Sequence, residues 1–148
     1  MSREILNRLK ADNNSKHTIC VLIKYHDVRP VTEPKYVRRL IAKTGKELFP
    51  LLIELKRADA IGQNPVTIGE KLDYLFRLEE IYNEEIKNKT AFTVRDLKIN
   101  GRDVIDSGIT DGEKIGRCLD HILNMVIDGE IRNDREELLA VLNGKKLN

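Results

Sequence analysis

The chain has 148 residues, with 26 Lys and Arg, 24 Asp and Glu, 41% apolar residues, 5% aromatic residues and no tryptophan. At this length folding removes about 68–70% of the unfolded surface from water, so one compact domain or two small ones can be stable without a disulfide framework or structural metal. The apolar runs 19–23 and 48–55 are far short of the roughly 20 residues that span a bilayer, and Ser2, Arg3 and Glu4 make no secretory signal. No membrane partner is therefore expected, and the expected location is the cytoplasm.

Apolar residues recur at three and four rather than two, which predicts an all-α helical bundle of about six to eight helices. Ser15 is expected to cap a helix that carries Ile19, Leu22 and Ile23 on one side and runs out near His26 and Asp27. Thr32 starts the next, with Pro34 in its first turn, a buried stripe of Val37, Leu40 and Ile41, and a stop at Gly45. A third begins around Lys46, burying Leu48, Leu51, Leu52, Leu55, Ala58 and Ile61, and Gly62, Gln63, Asn64 and Pro65 end it. The longest helix runs from about Ile68 to Lys87, with Leu72, Leu75, Leu78, Ile81 or Tyr82, and Ile86 inward and Glu79, Glu80, Glu84 and Glu85 outward.

After Lys89 glycines and capping residues become frequent, which suggests a division into a helical body, 1–89, and a small helical tail, 90–148. Thr93 and Asp96 have the spacing of a capping box. Asp111 caps a helix with Ile115, Leu119, Ile122, Leu123 and Val126 on one face, which stops at Gly129. Asn133 is expected to cap the last, burying Leu138, Leu139 and Leu142 and ending at Gly144. Gly116 lies one turn inside a helix, where glycine costs about 1 kcal/mol relative to alanine, so a close approach by another helix or a nucleic-acid backbone is expected there. Cys20 and Cys118 form no CxxC pair and read as buried small hydrophobes.

The net charge of +2 hides a split: residues 1–57 hold 13 Lys and Arg against 6 Asp and Glu, and the remainder holds 13 against 18. The density of Lys35, Arg38, Arg39, Lys43, Lys46, Lys56 and Arg57 suits phosphate contacts, or alternatively a solvated helix face. His26, Asp27 and Asp59 resemble part of the divalent-metal site of HD-type phosphohydrolases. The upstream His17 is nine residues away on the same helix, a rotation of about 900° that points it to the opposite side. A capping aspartate and an interhelical histidine is the alternative, so no cofactor is expected unless these three residues hold a metal. His121 reads as structural or solvent-facing. The sequence contains no GxxxxGK[ST], GxGxxG, GxSxG or HExxH motif.

Four blocks occur in a telling order: Leu22-Ile23-Lys24-Tyr25-His26-Asp27, Val37-Arg38-Arg39-Leu40, Leu55-Lys56-Arg57-Ala58-Asp59, and the glycine-rich stretch from Ile99 to Leu119. Together with Asn133-Asp134-Arg135-Glu136-Glu137-Leu138-Leu139, they resemble the body and tail of the bacterial CCA-adding enzymes, tRNA nucleotidyltransferases related to poly(A) polymerases. The resemblance covers nearly the whole chain. It implies that the helices hold tRNA while a separate head, with a glycine-rich strand and a DxD metal-binding pair, performs nucleotidyl transfer. Neither feature is in this sequence, so the resemblance implies a chain that binds tRNA or another structured RNA without polymerising nucleotides alone. It also explains why such chains carry an HD superfamily hydrolase label. By charge, Lys35, Arg38, Arg39, Lys43, Lys56, Arg57, Lys114 and Arg117 are the expected RNA contacts. A separate head chain or a second copy is the expected cover for Ile5, Leu6 and Leu9.

Overall fold

The computed structural model describes residues 2–62 and 68–144, which form eight α-helices and one 3-10 turn, with no strand among the described residues. The all-α expectation holds. Helix α1 spans Ser2–Arg8 and α2 spans Asn13–Tyr25. The cap of α2 is Asp12 rather than Ser15: the Asp12 carboxylate accepts from the Ser15 amide at 3.0 Å and from its hydroxyl at 2.5 Å. An aspartate in the position before the helix outcompetes the serine because its charge also meets the positive helix end. Although α2 has the expected periodicity, none of its residues is fully buried; Leu22 and Tyr25 lean on the core while Ile19 and Ile23 stay exposed.

Helix α3, Pro34–Thr44, starts with its proline in the first turn, where a missing N–H costs nothing, and ends at Gly45 with φ +92°. The Leu48 and Phe49 amides both donate to the Gly45 carbonyl in a turn, so α4 begins later than expected and spans Phe49–Gly62. Its inward face also differs. Phe49, Leu52, Ile53 and Ala60 are buried, whereas Leu51, Leu55, Ala58 and Ile61 are exposed and Leu48 half-buried. Because α4 is apolar on most sides, two stripes at helical spacing compete, and packing against α5 selects the second. Gln63, Asn64 and Pro65, expected to end α4, lie outside the described residues.

Helix α5 spans Ile68–Lys87 as expected, with Leu75 and Leu78 buried and Ile81 and Tyr82 packed against the core. The Tyr82 ring stacks on Phe49 at 5.3 Å between centroids, and its hydroxyl donates to the Lys46 carbonyl at 2.9 Å. Two expectations fail at its end: Ile86 is exposed and Glu85 is buried. Glu85 stands seven residues after Leu78, on the same stripe, and a partner from α3 makes its burial tolerable.

A second core gathers Ala91, Leu97, Ile99, Val104, Leu119, Ile122, Val126, Ile131 and Leu138. Its frame is built from caps. Thr93 and Asp96 close a capping box around the 3-10 turn Val94–Asp96, and Asn100 and Asp103 close another on α6, Gly101–Asp106. Asp111 caps α7, Gly112–Asp128, which ends at Gly129 in the left-handed conformation. Asp134 rather than Asn133 caps α8, Arg135–Leu142. Asn133 is a staple: its oxygen accepts from the Lys98 amide at 3.0 Å, and its nitrogen donates to the carbonyls of Lys89 and Asp96. A Cβ on Gly116 would meet nothing within 4 Å, so no described helix of the chain makes the expected close approach. Cys20 and Cys118 are free and half-buried rather than fully enclosed, and burial pushes the Cys118 thiol up.

Candidate nucleic-acid interface

Helix α3 turns Val37, Leu40 and Ile41 inward, so Lys35, Arg38 and Arg39 flank that stripe and meet the end of α7. Arg38 reaches deepest. Its Nε donates to the Ile127 carbonyl at 2.7 Å and its Nη1 to Glu85 Oε1 at 2.8 Å, and the two charged side chains are only 14% and 9% exposed. Thr90 donates its hydroxyl to the other Glu85 oxygen at 2.5 Å. Gly129 faces the guanidinium so closely that a Cβ would collide with it, and its φ of +79° disfavours any other residue. Arg38 therefore joins the two cores from within.

Arg39 grips Asp128 through two parallel bonds of 2.8 and 3.0 Å, and Lys35 lies 3.6 Å from the same carboxylate. The Arg39 hydrogen bonds hold Asp128 below the usual carboxylate range. Lys46 pairs with Asp96 at 3.0 Å, a third tie between the two cores. Burial pushes Asp96 up, but hydrogen bonds from Lys46, Thr93 and the Phe92 and Thr93 amides leave it below its ordinary value. Arg57 pairs with Glu54 and, at 2.9 Å, with Glu79.

The remaining cations are open. Lys43 and Lys114 are exposed and make no ion pair among the described residues. Arg117 faces only Glu113, one turn before it at 3.2 Å, with 69% of its side chain exposed. Exposed pairs of this kind are worth little, so Arg117 can exchange its carboxylate for a phosphate at small cost. The cations read from the sequence thus separate into a joining group (Arg38, Arg39 and, at its edge, Lys35), a surface pair with Glu79 (Arg57), and an open group (Lys43, Lys114, Arg117). Lys56 stands apart, at the foot of a cleft. The acidic partners Glu85 and Asp128 escaped sequence reasoning; only the position of Glu85 on the α5 stripe could have signalled its burial.

The cleft occupies about 390 Å³ between the end of α2, α4 and α5, and brings His26, Asp27 and Asp59 to one wall system with Arg29, Lys56 and Tyr74. His26 already spends both ring nitrogens: Nδ1 lies 2.6 Å from the Ile23 carbonyl and Nε2 3.1 Å from Asp27. Among the described residues no three His, Cys, Asp or Glu side chains are placed to hold one ion. His121 is exposed on α7. No helix among the described residues is long and apolar enough to cross a membrane.

Comparison with known families matches residues 1–142 to the family described as tRNA nucleotidyltransferase domain 2. No curated protein and no solved structure matches the chain.

Proposed function

Because this chain belongs to the tRNA nucleotidyltransferase domain 2 family, we propose that it is a helical RNA-holding module that binds tRNA and leaves nucleotidyl transfer to a head not contained in these residues. The observation that supports this reading is the open group of cations, Lys43, Lys114 and Arg117, on a scaffold whose inner cations are already neutralised. Open cations release counterions when they meet phosphates, whereas a cation already tied to a buried carboxylate gives little on binding. Lys35, Arg39 and Arg57 contribute at the surface beside their acidic partners. Arg38 and Lys56, whose donors are engaged inside the chain, belong to the RNA-binding set as positioning residues.

Transfer of a nucleotidyl group by two metals needs carboxylates fixed a few ångströms apart on a rigid frame. Among the described residues no group of three or more His, Cys, Asp or Glu side chains is placed to hold a metal ion, and in this reading the chain alone adds no CMP or AMP to tRNA. The division of labour into a body, 1–89, and a tail, 90–148, is part of the same proposal, as is a cytoplasmic location beside the tRNA pool. The exposed Ile5 and Leu9, the latter 72% exposed, offer a surface for a head chain or a second copy.

The test is tRNA binding as a function of salt. Lys114→Glu with Arg117→Glu is expected to weaken binding about tenfold at low salt and to reduce the slope of log affinity against log salt by roughly 0.7–0.9 for each phosphate that is no longer neutralised. Salt-independent binding, or affinity unchanged by the double reversal, would refute the RNA-holding reading. Nucleotide incorporation by the purified chain would refute its catalytic silence.

A further inference from the structure

Of the clefts among the described residues, the one between the end of α2, α4 and α5 has a lining of which the RNA-holding reading uses Lys56 alone. Three cations line it, Arg29 from the loop after α2, Lys56 from α4 and Lys71 from α5, and Asp27 and Asp59 line the same space. Lys56 is fixed there because its ammonium donates to the carbonyls of His26 and Val28, the latter at 2.8 Å, at the end of α2. Those carbonyls take two of its three N–H bonds. Burial lowers its affinity for a proton and the like charge of Arg29 lowers it further, with Asp27 and Asp59 acting in the opposite sense. Lys56 keeps one N–H, and Arg29 lies close enough for its like charge to act on it, so a compact anion seated between the two would relieve that repulsion.

The opposing acids restrict what that anion can be. Asp27, Asp59 and Glu70 line the cleft beside the cations, and a continuous polyanion would run against them. A compact ligand with one phosphate and several hydroxyls would not: the phosphate takes the cations and the hydroxyls donate to the carboxylates. Ala60, Leu75 and Tyr74 also line it, and Tyr74 is held by its hydroxyl, which donates to the Pro30 carbonyl at 2.8 Å. The volume, about 390 Å³, lies within the range of small-molecule sites. We infer that this cleft binds a small phosphorylated sugar or nucleoside monophosphate, its phosphate on Arg29 and Lys56 and its hydroxyls on Asp27 and Asp59.

Calorimetric titration of the full chain with ribose 5-phosphate, AMP and inorganic phosphate tests this. The two phosphomonoesters should bind more tightly than inorganic phosphate, and Arg29→Gln should weaken both about tenfold. Lys56→Met should weaken them at least as much; because Lys56 also holds the α2 end, the exposed Arg29 provides the variant that folds. Arg29→Gln should leave tRNA affinity unchanged, so loss of this cleft and loss of the RNA-holding face are separable results. No heat with any of the three ligands up to about 10 mM, or binding equal in wild type and Arg29→Gln, overturns the inference. So does binding of Mn²⁺ that is abolished by His26→Ala and blocks the phosphomonoesters, since that result makes the cleft a metal site.

Discussion

Helices α2 and α7 have similar sequence patterns and opposite fates. Each carries apolar residues at three and four and an aspartate cap, yet α7 buries Leu119, Ile122, Val126 and Ile127, while α2 fully buries nothing. The difference lies in their neighbours. Helix α7 is enclosed by α3 on one side and α6 and the 3-10 turn on another, and its end is fixed to α3 by Arg38 and Arg39. Helix α2 touches α1, α3 and α4 more lightly and leaves Ile19 and Ile23 partly in water. Periodicity makes a helix; its partners decide what that helix contributes to stability.

The largest effect should come from the junction that α7 has and α2 lacks. Glu85→Ala strands Arg38 in a nearly buried site, and breaking one side of such a pair costs roughly 3–5 kcal/mol. Replacing both, as Arg38→Met with Glu85→Leu, should restore much of that loss in urea unfolding. If Glu85→Ala is as stable as wild type, the junction does not hold the two cores together.

Core truncation comes next and sharpens the contrast. Leu138→Ala, at a position with no exposure, should cost about 2–5 kcal/mol, whereas Ile23→Ala on α2 should cost under about 1 kcal/mol. Equal losses would mean that α2 is covered in solution by a partner, which light scattering would reveal as a mass above the monomer. Gly129→Ala should cost roughly 1–3 kcal/mol, because alanine is strained at that φ and meets the Arg38 guanidinium.

The smallest effect is a pH dependence. Asp128 and Asp103 are held below the ordinary carboxylate value by Arg39 and Arg135 respectively. Each therefore contributes stability that is fully present above the unfolded carboxylate pKa and fades as pH falls through the lower folded value. Asp128→Asn should flatten part of the acid-side loss between pH 5 and pH 2, roughly the window in which such groups titrate. An unchanged acid profile would show that the Arg39 pair contributes nothing measurable in water.

The features legible in the sequence are those whose cause lies within a few residues. Asp111 caps its helix because its own carboxylate reaches the Lys114 amide at 3.0 Å, and Gly129 stops it because only glycine adopts that φ cheaply. The Thr93 and Asp96 box is equally local. Where two local solutions compete, the sequence misleads: Asp12 lies three residues before Ser15, and Asp134 one after Asn133, and each aspartate took the cap. The candidate site was legible as a density of cations and no further. Nothing near Arg38 in the sequence shows that a carboxylate 47 residues away will neutralise it, or that Lys114 will stay open.

Periodicity, caps and glycine stops determined by themselves that this chain is helical and where most helices start and stop, since each depends on contacts within one or two turns. Tertiary structure alone decided which stripe of α4 faces inward, that Glu85 is buried, and which cations are tied to carboxylates within the fold. Those outcomes depend on charges and volumes brought together from distant parts of the chain, and a charge is available to a ligand only after every nearer partner has been satisfied.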